Sequence, residues 1–193
     1  MNETIQTLLS RRSVRKYTEE KVSREDLELI LECGLYAPSG RNHQLVRFTA
    51  IEKREVLDDL IAIVCSEFRD MAIVEGQYWN GTIERARSNP DYNFSFQAPL
   101  LIIVTAPAGW PNGMADSANA LQNLHVAAAA LGLGACWVNQ LHWLTDNDVL
   151  RRYLQQYGIR EDEEIYGSMV FGHPVFPLPN ALPRKPNRVT YVR

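Results

Sequence analysis

Between Asp116 and Asn139 the chain passes through a helical segment that is almost wholly apolar from Val126, a turn broken by Gly132 and Gly134, and a short apolar strand. Asp116 is placed to cap the first turn by accepting backbone N–H bonds, after which Ala118, Leu121, Leu124, Ala128 and Leu131 recur at helical spacing. Val126, Ala127, Ala129 and Ala130 fill the remaining faces. A helix apolar on every side has to be enclosed by protein, because this one is too short and too interrupted to span a bilayer. Its small side chains let another backbone approach closely, so the same helix of a second subunit is one candidate partner.

The rest of the chain supplies elements to pack around it. Ile5, Leu8 and Leu9 predict a short amphipathic helix. Ser23 with Asp26 resembles a capping box and opens a helix carrying Leu27, Ile30, Leu31 and Leu35, which Ala37-Pro38-Ser39-Gly40 stops. A half-buried strand follows, with Val46, Phe48 and Ala50 on one face and Arg47 and Thr49 on the other. Val56 through Met71 carry the spacing of a long amphipathic helix. From Gly76 to Gln97 the periodicity fades into a polar and aromatic stretch, of a length that suits a lid or binding loop.

Leu100–Thr105 reads as a strand buried on both faces, and Ala135–Val138 as a second. Thr145 with Asp148 opens a helix through Leu154, Ile165–Phe171 is a further strand, and a proline-rich tail from Pro177 to Pro186 leads to a β-prone end at Val189, Tyr191 and Val192. Four or five strands separated by helices indicate an α/β or α+β sandwich. With 193 residues, 46% of them hydrophobic, the chain suffices for one core, so one domain or one intertwined dimer subunit is expected.

A formal charge of −3 gives no global attraction for nucleic acid or anionic lipid, so anion binding requires a local basic cluster. Arg11-Arg12-Ser13-Val14-Arg15 is one: three guanidiniums and a hydroxyl just past a helix end can grip a phosphomonoester, although alone the stretch also reads as a solvated charged turn. Pro38-Ser39-Gly40-Arg41-Asn42-His43-Gln44 offers amides, a hydroxyl and free backbone N–H groups to a ligand with a mixed donor and acceptor edge, or is an ordinary helix-to-strand loop. Gly132-Leu133-Gly134 lacks the spacing of a dinucleotide turn and reads as a helix stop. Cys33, Cys65 and Cys136 are odd in number and unpaired in spacing, and the four histidines have no ligand spacing. His125 and Cys136 read as packing residues. An enzyme built this way leaves its chemistry to a cofactor. With no basic-apolar leader and no long apolar run, the expectation is a soluble cytoplasmic protein.

Six motifs in register resemble the nitroreductase family of flavin enzymes: Arg11 through Tyr17, Ala37 through Gln44, Ala98-Pro99, Ala127 through Trp137, Gly172-His173-Pro174 and Arg184-Lys185-Pro186. The resemblance implies an α+β sandwich with a central, mostly antiparallel sheet flanked by helices, forming an intertwined homodimer. One FMN-binding domain would span 1–193, with 175–193 an arm contacting the partner subunit. It further implies two FMN molecules at the interface. Arg11, Arg12, Ser13 and Arg15 would hold the phosphate. Pro38, Ser39, Gly40, Asn42 and Gln44 of the other subunit would meet the ring and ribityl chain. Trp137, Val138 and Asn139 would lie by the ring, and Arg184 and Lys185 would return to the phosphate.

The family's Pro-Trp after the glutamine is Leu45-Val46 here, and the Glu-Gly pair of larger members is missing, which aligns this chain with the shorter subgroup. The implied reaction is ping-pong, with hydride from NAD(P)H to FMN N5 and then to a nitroaromatic, quinone or similar small acceptor. Tyr92, Asn93, Phe94 and Phe96 are candidates for the substrate pocket. The same fold and flavin also serve dehalogenation or flavin fragmentation, or binding of flavin without turnover.

Overall fold

The computed structural model describes residues 2–178, 180–186 and 188–193; Met1, Pro179 of the proline-rich tail and Asn187 lie outside them. Helices α1 (Glu3–Ser10), α2 (Arg24–Leu35), α3 (Arg54–Asp70), α4 (Asn80–Ser88), α5 (Gly113–Ala130), α6 (Gln140–Trp143) and α7 (Asp148–Gln155) alternate with strands β1 (Arg47–Ile51), β2 (Leu100–Pro107), β3 (Gly134–Val138) and β4 (Glu163–Gly172). The four strands form one sheet in the order β1-β2-β4-β3, and every pairing is antiparallel. The α+β architecture expected from the sequence is present, with a sheet that is wholly antiparallel over the described residues.

The sheet separates two cores. Alternation along β2 sends Leu100, Ile102 and Val104 to the layer of α2 and α5, where Ile30, Leu121, Leu124, Met169 and Phe171 meet them. Leu101 and Ile103 face the layer of α3, with Leu57, Leu60, Phe68 and Leu141. A strand buried on both faces has to be apolar at every position, which is why Leu100–Val104 carries no polar residue.

Local sequence explains most element ends. Ser23 Oγ donates to Asp26 Oδ2 at 2.8 Å and accepts from the Asp26 N–H at 3.0 Å, the capping arrangement expected of that pair. Four expectations are corrected. α5 begins at Gly113 rather than at Asp116, which sits inside the helix and bonds across to another loop. Thr145 opens no helix; its hydroxyl accepts from the Ile165 N–H, while Asn147 caps α7 by accepting from the Leu150 N–H. The fading segment 76–97 contains α4, held by buried Thr82, Ile83 and Ala86. Val189, Tyr191 and Val192 form no strand and are exposed.

α5 is also less enclosed than an all-apolar sequence demands. Val126, Ala127 and Ala129 are half-buried and Ala130 is exposed. Among the described residues, no helix is long and apolar enough to cross a membrane.

After α1 the chain is laid against the sheet. Ser13 bridges Ala135 in parallel, the Val14 N–H donates to the Ala135 carbonyl at 2.9 Å, and Tyr17 bridges Pro174. Gly134 makes this approach possible, because a Cβ there would lie 2.8 Å from the Val14 side chain. The arginine stretch is thereby set beside β3.

Candidate active site

The basic stretch occupies a corner between α1, the second half of α5 and β3. Arg11 reaches α5, where Nη2 donates to Gln122 Oε1 at 3.4 Å and Nη1 approaches His125 Nδ1 at 3.5 Å. Arg12 Nη1 turns back to the Leu9 carbonyl at 3.0 Å. The Nε atoms of both arginines are buried without a hydrogen-bond partner, and neither arginine forms an ion pair among the described residues. A buried guanidinium N–H left unbonded costs free energy that an anion would recover. The residues present therefore fit a phosphate group.

His125 supports this corner from below. Its Nε2 lies 3.3 Å from the Arg12 carbonyl, which can only accept, so the ring carries its proton on Nε2 and offers Nδ1 to Arg11. Burial, and then the Arg11 charge, push its pKa below the ordinary 6.5. The unfolded chain therefore takes up a proton at higher pH than the native one. Stability present above pH 6.5 is lost as pH falls below it, toward the lowered native value. Urea titrations at stepped pH are expected to show this loss, and His125→Gln should flatten the profile over that window. An unaltered profile in the variant would contradict the assignment.

Arg15 points the other way, into a cavity of ≈ 200 Å³ against β3. Trp137, Val138 and Asn139 form its floor. Trp137 Nε1 donates to Asn139 Oδ1 at 2.6 Å, with the indole packed near Gly167 on the α5 side of the sheet. Arg15 stands over the Phe96 ring, 5.8 Å from guanidinium carbon to centroid. Of the aromatic pocket candidates, Tyr92, Phe94 and Phe96 line the cavity, with Phe94 1% exposed and part of the core. Asn93 does not line it; its Oδ1 accepts from the Ser95 N–H and hydroxyl, shaping the turn. Cys136 is buried at the cavity edge, and burial pushes its thiol pKa up, which suits packing rather than nucleophilic chemistry.

The wall opposite β3 is the part the sequence did not disclose. Tyr78, Thr82, Arg85, Gln140 and Trp143 complete it. Trp143 stacks on Trp79 with centroids 5.7 Å apart and meets Tyr78 edge-on at 5.9 Å. Tyr78 and Trp79 were visible as aromatic residues, but α4, which orients this wall, had only Ile83 and Ala86 at helical spacing as a signal.

The Ser39 loop lies elsewhere. Gly40 N–H donates to Asp116 Oδ1 at 2.9 Å, Trp110 Nε1 donates to Asp116 Oδ2 at 3.0 Å, and Asn119 Nδ2 donates to the Pro38 carbonyl at 3.2 Å. Ser39 Oγ accepts from the Gln44 N–H, and Gln44 Nε2 donates to Asn42 Oδ1. Arg41, Asn42 and Gln44 all have positive φ, between 51° and 58°, a backbone shape that costs each non-glycine residue about 1 kcal/mol or more. Pro38, Ser39 and Gln44 line a separate cavity of ≈ 190 Å³ with Asp116. His125 lies nine positions beyond Asp116 on α5, about 14 Å along the axis. Arg184 and Lys185 are exposed and pair with none of the described residues. Within one chain, then, the structure joins the arginine stretch to Trp137–Asn139 but leaves the Ser39 loop and the tail cations apart.

The Nitroreductase family model matches residues 8–173, a span that holds both the arginine corner and the β3 cavity. The chain belongs to the nitroreductase family. A nitroreductase with bound FMN from Bacteroides fragilis NCTC 9343 superposes with a TM-score of 0.90 at 31% identity, covering 100% of each chain. A second, from Desulfitobacterium hafniense DCB-2, also with bound FMN, gives 0.85 at 24% identity over 100% of each chain and shares the fold. The NADPH-flavin oxidoreductase of Vibrio harveyi is 27% identical over 190 residues, 98% of this chain and 72% of that one. This nitroreductase-family chain follows the solved fold from end to end.

Proposed function

We propose that this chain is a cytoplasmic, FMN-dependent NAD(P)H oxidoreductase acting as a homodimer on nitroaromatic, quinone or similar acceptors. The carrying observation is the pair of buried, unpartnered guanidinium Nε atoms of Arg11 and Arg12 beside Ser13, in the same short stretch as Arg15, which lines the aromatic cavity on β3. That donor set suits the phosphate of FMN, and the FMN bound by the Bacteroides fragilis relative supports the choice of cofactor. FMN, when bound, supplies hydride transfer from a reduced nicotinamide to an acceptor.

The chain's own residues position and polarise. Arg11, Arg12 and Ser13 hold the phosphate, and Trp137, Val138 and Asn139 give the ring a flat seat. Arg15, whose charge no carboxylate of the cavity lining offsets, favours negative charge developing on the ring edge. Phe94 and Phe96 exclude water from that side. Pro38, Ser39, Gly40, Asn42 and Gln44 serve the site of the other subunit, which accounts for their distance from Arg11 in this one. The 175–193 arm, with Arg184 and Lys185, then closes over the partner's phosphate, and 1–193 acts as one FMN-binding unit. The half-buried alanine face of α5 suits close packing against a second copy.

The visible spectrum of the purified protein tests the reading. Flavin bands are expected to bleach anaerobically on adding NADPH or NADH and to return on adding menadione or a nitroarene. A protein that remains colourless after incubation with FMN would refute it. Bound flavin that no reduced nicotinamide bleaches would move the activity to another flavin reaction.

A further inference from the structure

One cation in the β3 cavity is left over once the cofactor contacts are assigned. Arg85, on α4, has five N–H donors. It uses one on the Gly81 carbonyl of its own helix at 3.0 Å and another on Thr82 Oγ1 at 3.5 Å, and forms no ion pair among the described residues. Two other arginines of the same region, Arg69 and Arg87, are tied to the carbonyls of Ala86, Arg69 and Met71. The cavity lining holds Arg15 and Arg85 and no carboxylate.

A polar group of matching design stands next to Arg85. Gln140 Nε2 donates to the Tyr92 hydroxyl at 2.9 Å, while Gln140 Oε1 is buried with no partner. The buried, unpartnered Oε1 leaves this amide incompletely satisfied beside the cavity. Arg85 is close enough to Tyr92 that its charge opposes the rise in phenol pKa that burial causes. Around this corner Tyr78, Trp143 and Phe96 present flat aromatic surfaces.

We infer that the Arg85–Tyr92–Gln140 corner receives the carboxylate of an aromatic substrate, making nitroaromatic or quinoid acceptors that also carry a carboxylate the preferred class at this site. The inference rests on the oxidoreductase reading above. A guanidinium gives a carboxylate two parallel charged hydrogen bonds, and the aromatic wall takes the ring. A neutral analogue of the same shape keeps only the ring contacts.

The test compares para-nitrobenzoate with para-nitrobenzamide as acceptors for the FMN-loaded protein, alongside a titration of tryptophan fluorescence with benzoate, which cannot be reduced. kcat/KM is expected to favour nitrobenzoate by about tenfold or more, mainly through KM. In Arg85→Gln that preference should collapse toward unity and benzoate quenching should weaken by a similar factor, with Arg85→Lys recovering part of both. Equal kcat/KM values in the parent protein would overturn the inference. So would a variant in which both acceptors suffer alike, or in which only the KM for NADPH rises, since the latter assigns Arg85 to a dinucleotide phosphate. If neither nitro compound is reduced, nicotinamide-driven bleaching and reoxidation by menadione decide the oxidoreductase reading, and benzoate quenching with its dependence on Arg85 decides the anion site.

Discussion

Apoprotein carrying Arg11→Ala together with Arg15→Ala is expected to bind FMN roughly 10²–10⁴-fold more weakly than the parent, since each charged hydrogen bond contributes about 1.5–3 kcal/mol. The fold should survive. Arg11 is joined to α5 only by contacts of 3.4 and 3.5 Å, and Arg15 lies on the surface against Phe96. Titration of flavin fluorescence on the apoprotein measures the affinity, and circular dichroism checks the fold. The two losses have separate signatures. Arg11→Ala alone removes a phosphate contact and should also weaken binding of FMN relative to riboflavin. Arg15→Ala alone should leave that ratio near its parent value, because Arg15 faces the ring cavity rather than the phosphate corner. Unchanged FMN affinity in the double variant would reject the phosphate site.

Asp116→Ala carries the second large effect, a loss of about 2–5 kcal/mol of folding stability. Asp116 is 4% exposed, and its two oxygens accept from the Gly40 N–H and the Trp110 indole. Alanine strands both donors and leaves a gap under the loop. Asp116→Asn should fall between, because the amide has one accepting oxygen and its NH₂ group faces a donor. Chemical denaturation gives the magnitude. Loosening should be greatest in the Ser39 loop, where three residues are held in the left-handed region and Gly40 is pinned by this carboxylate. Hydrogen exchange that speeds up uniformly rather than at residues 38–44 would show that Asp116 serves the helix and not the loop.

Asp116 also illustrates what a sequence conceals. As an acidic residue ahead of a helical pattern it reads as a cap, yet the helix starts three residues earlier, where Gly113 and Met114 give no signal of their own. Its real partners are set by tertiary packing, one of them 76 positions away. β2, β3 and most of α5 were legible because unbroken apolar runs have few alternatives in a protein of this size. The arginine stretch was legible as chemistry because its groups are contiguous in the chain. Arg85 was not, since a single arginine in a polar segment means nothing until Tyr92 and Gln140, 48 residues apart from each other, are folded beside it. α4 went unseen for a related reason: Asn80, Gly81 and Arg85 favour solvent, and only Thr82, Ile83 and Ala86 pack.

The segment from Ser13 to Tyr17 does a second job by lying along β3. β3 is the last strand of its sheet, and its apolar Gly134-Ala135-Cys136-Trp137-Val138 backbone is capped on the outside at Ala135 by Ser13 and Val14. An uncapped strand of that composition is a template for pairing with other chains. The stretch proposed to hold the cofactor therefore also covers an edge on which another chain could pair. A bulkier residue at Gly134 would push Val14 away and remove both roles together, so turbidity on storage should rise in step with loss of bound flavin.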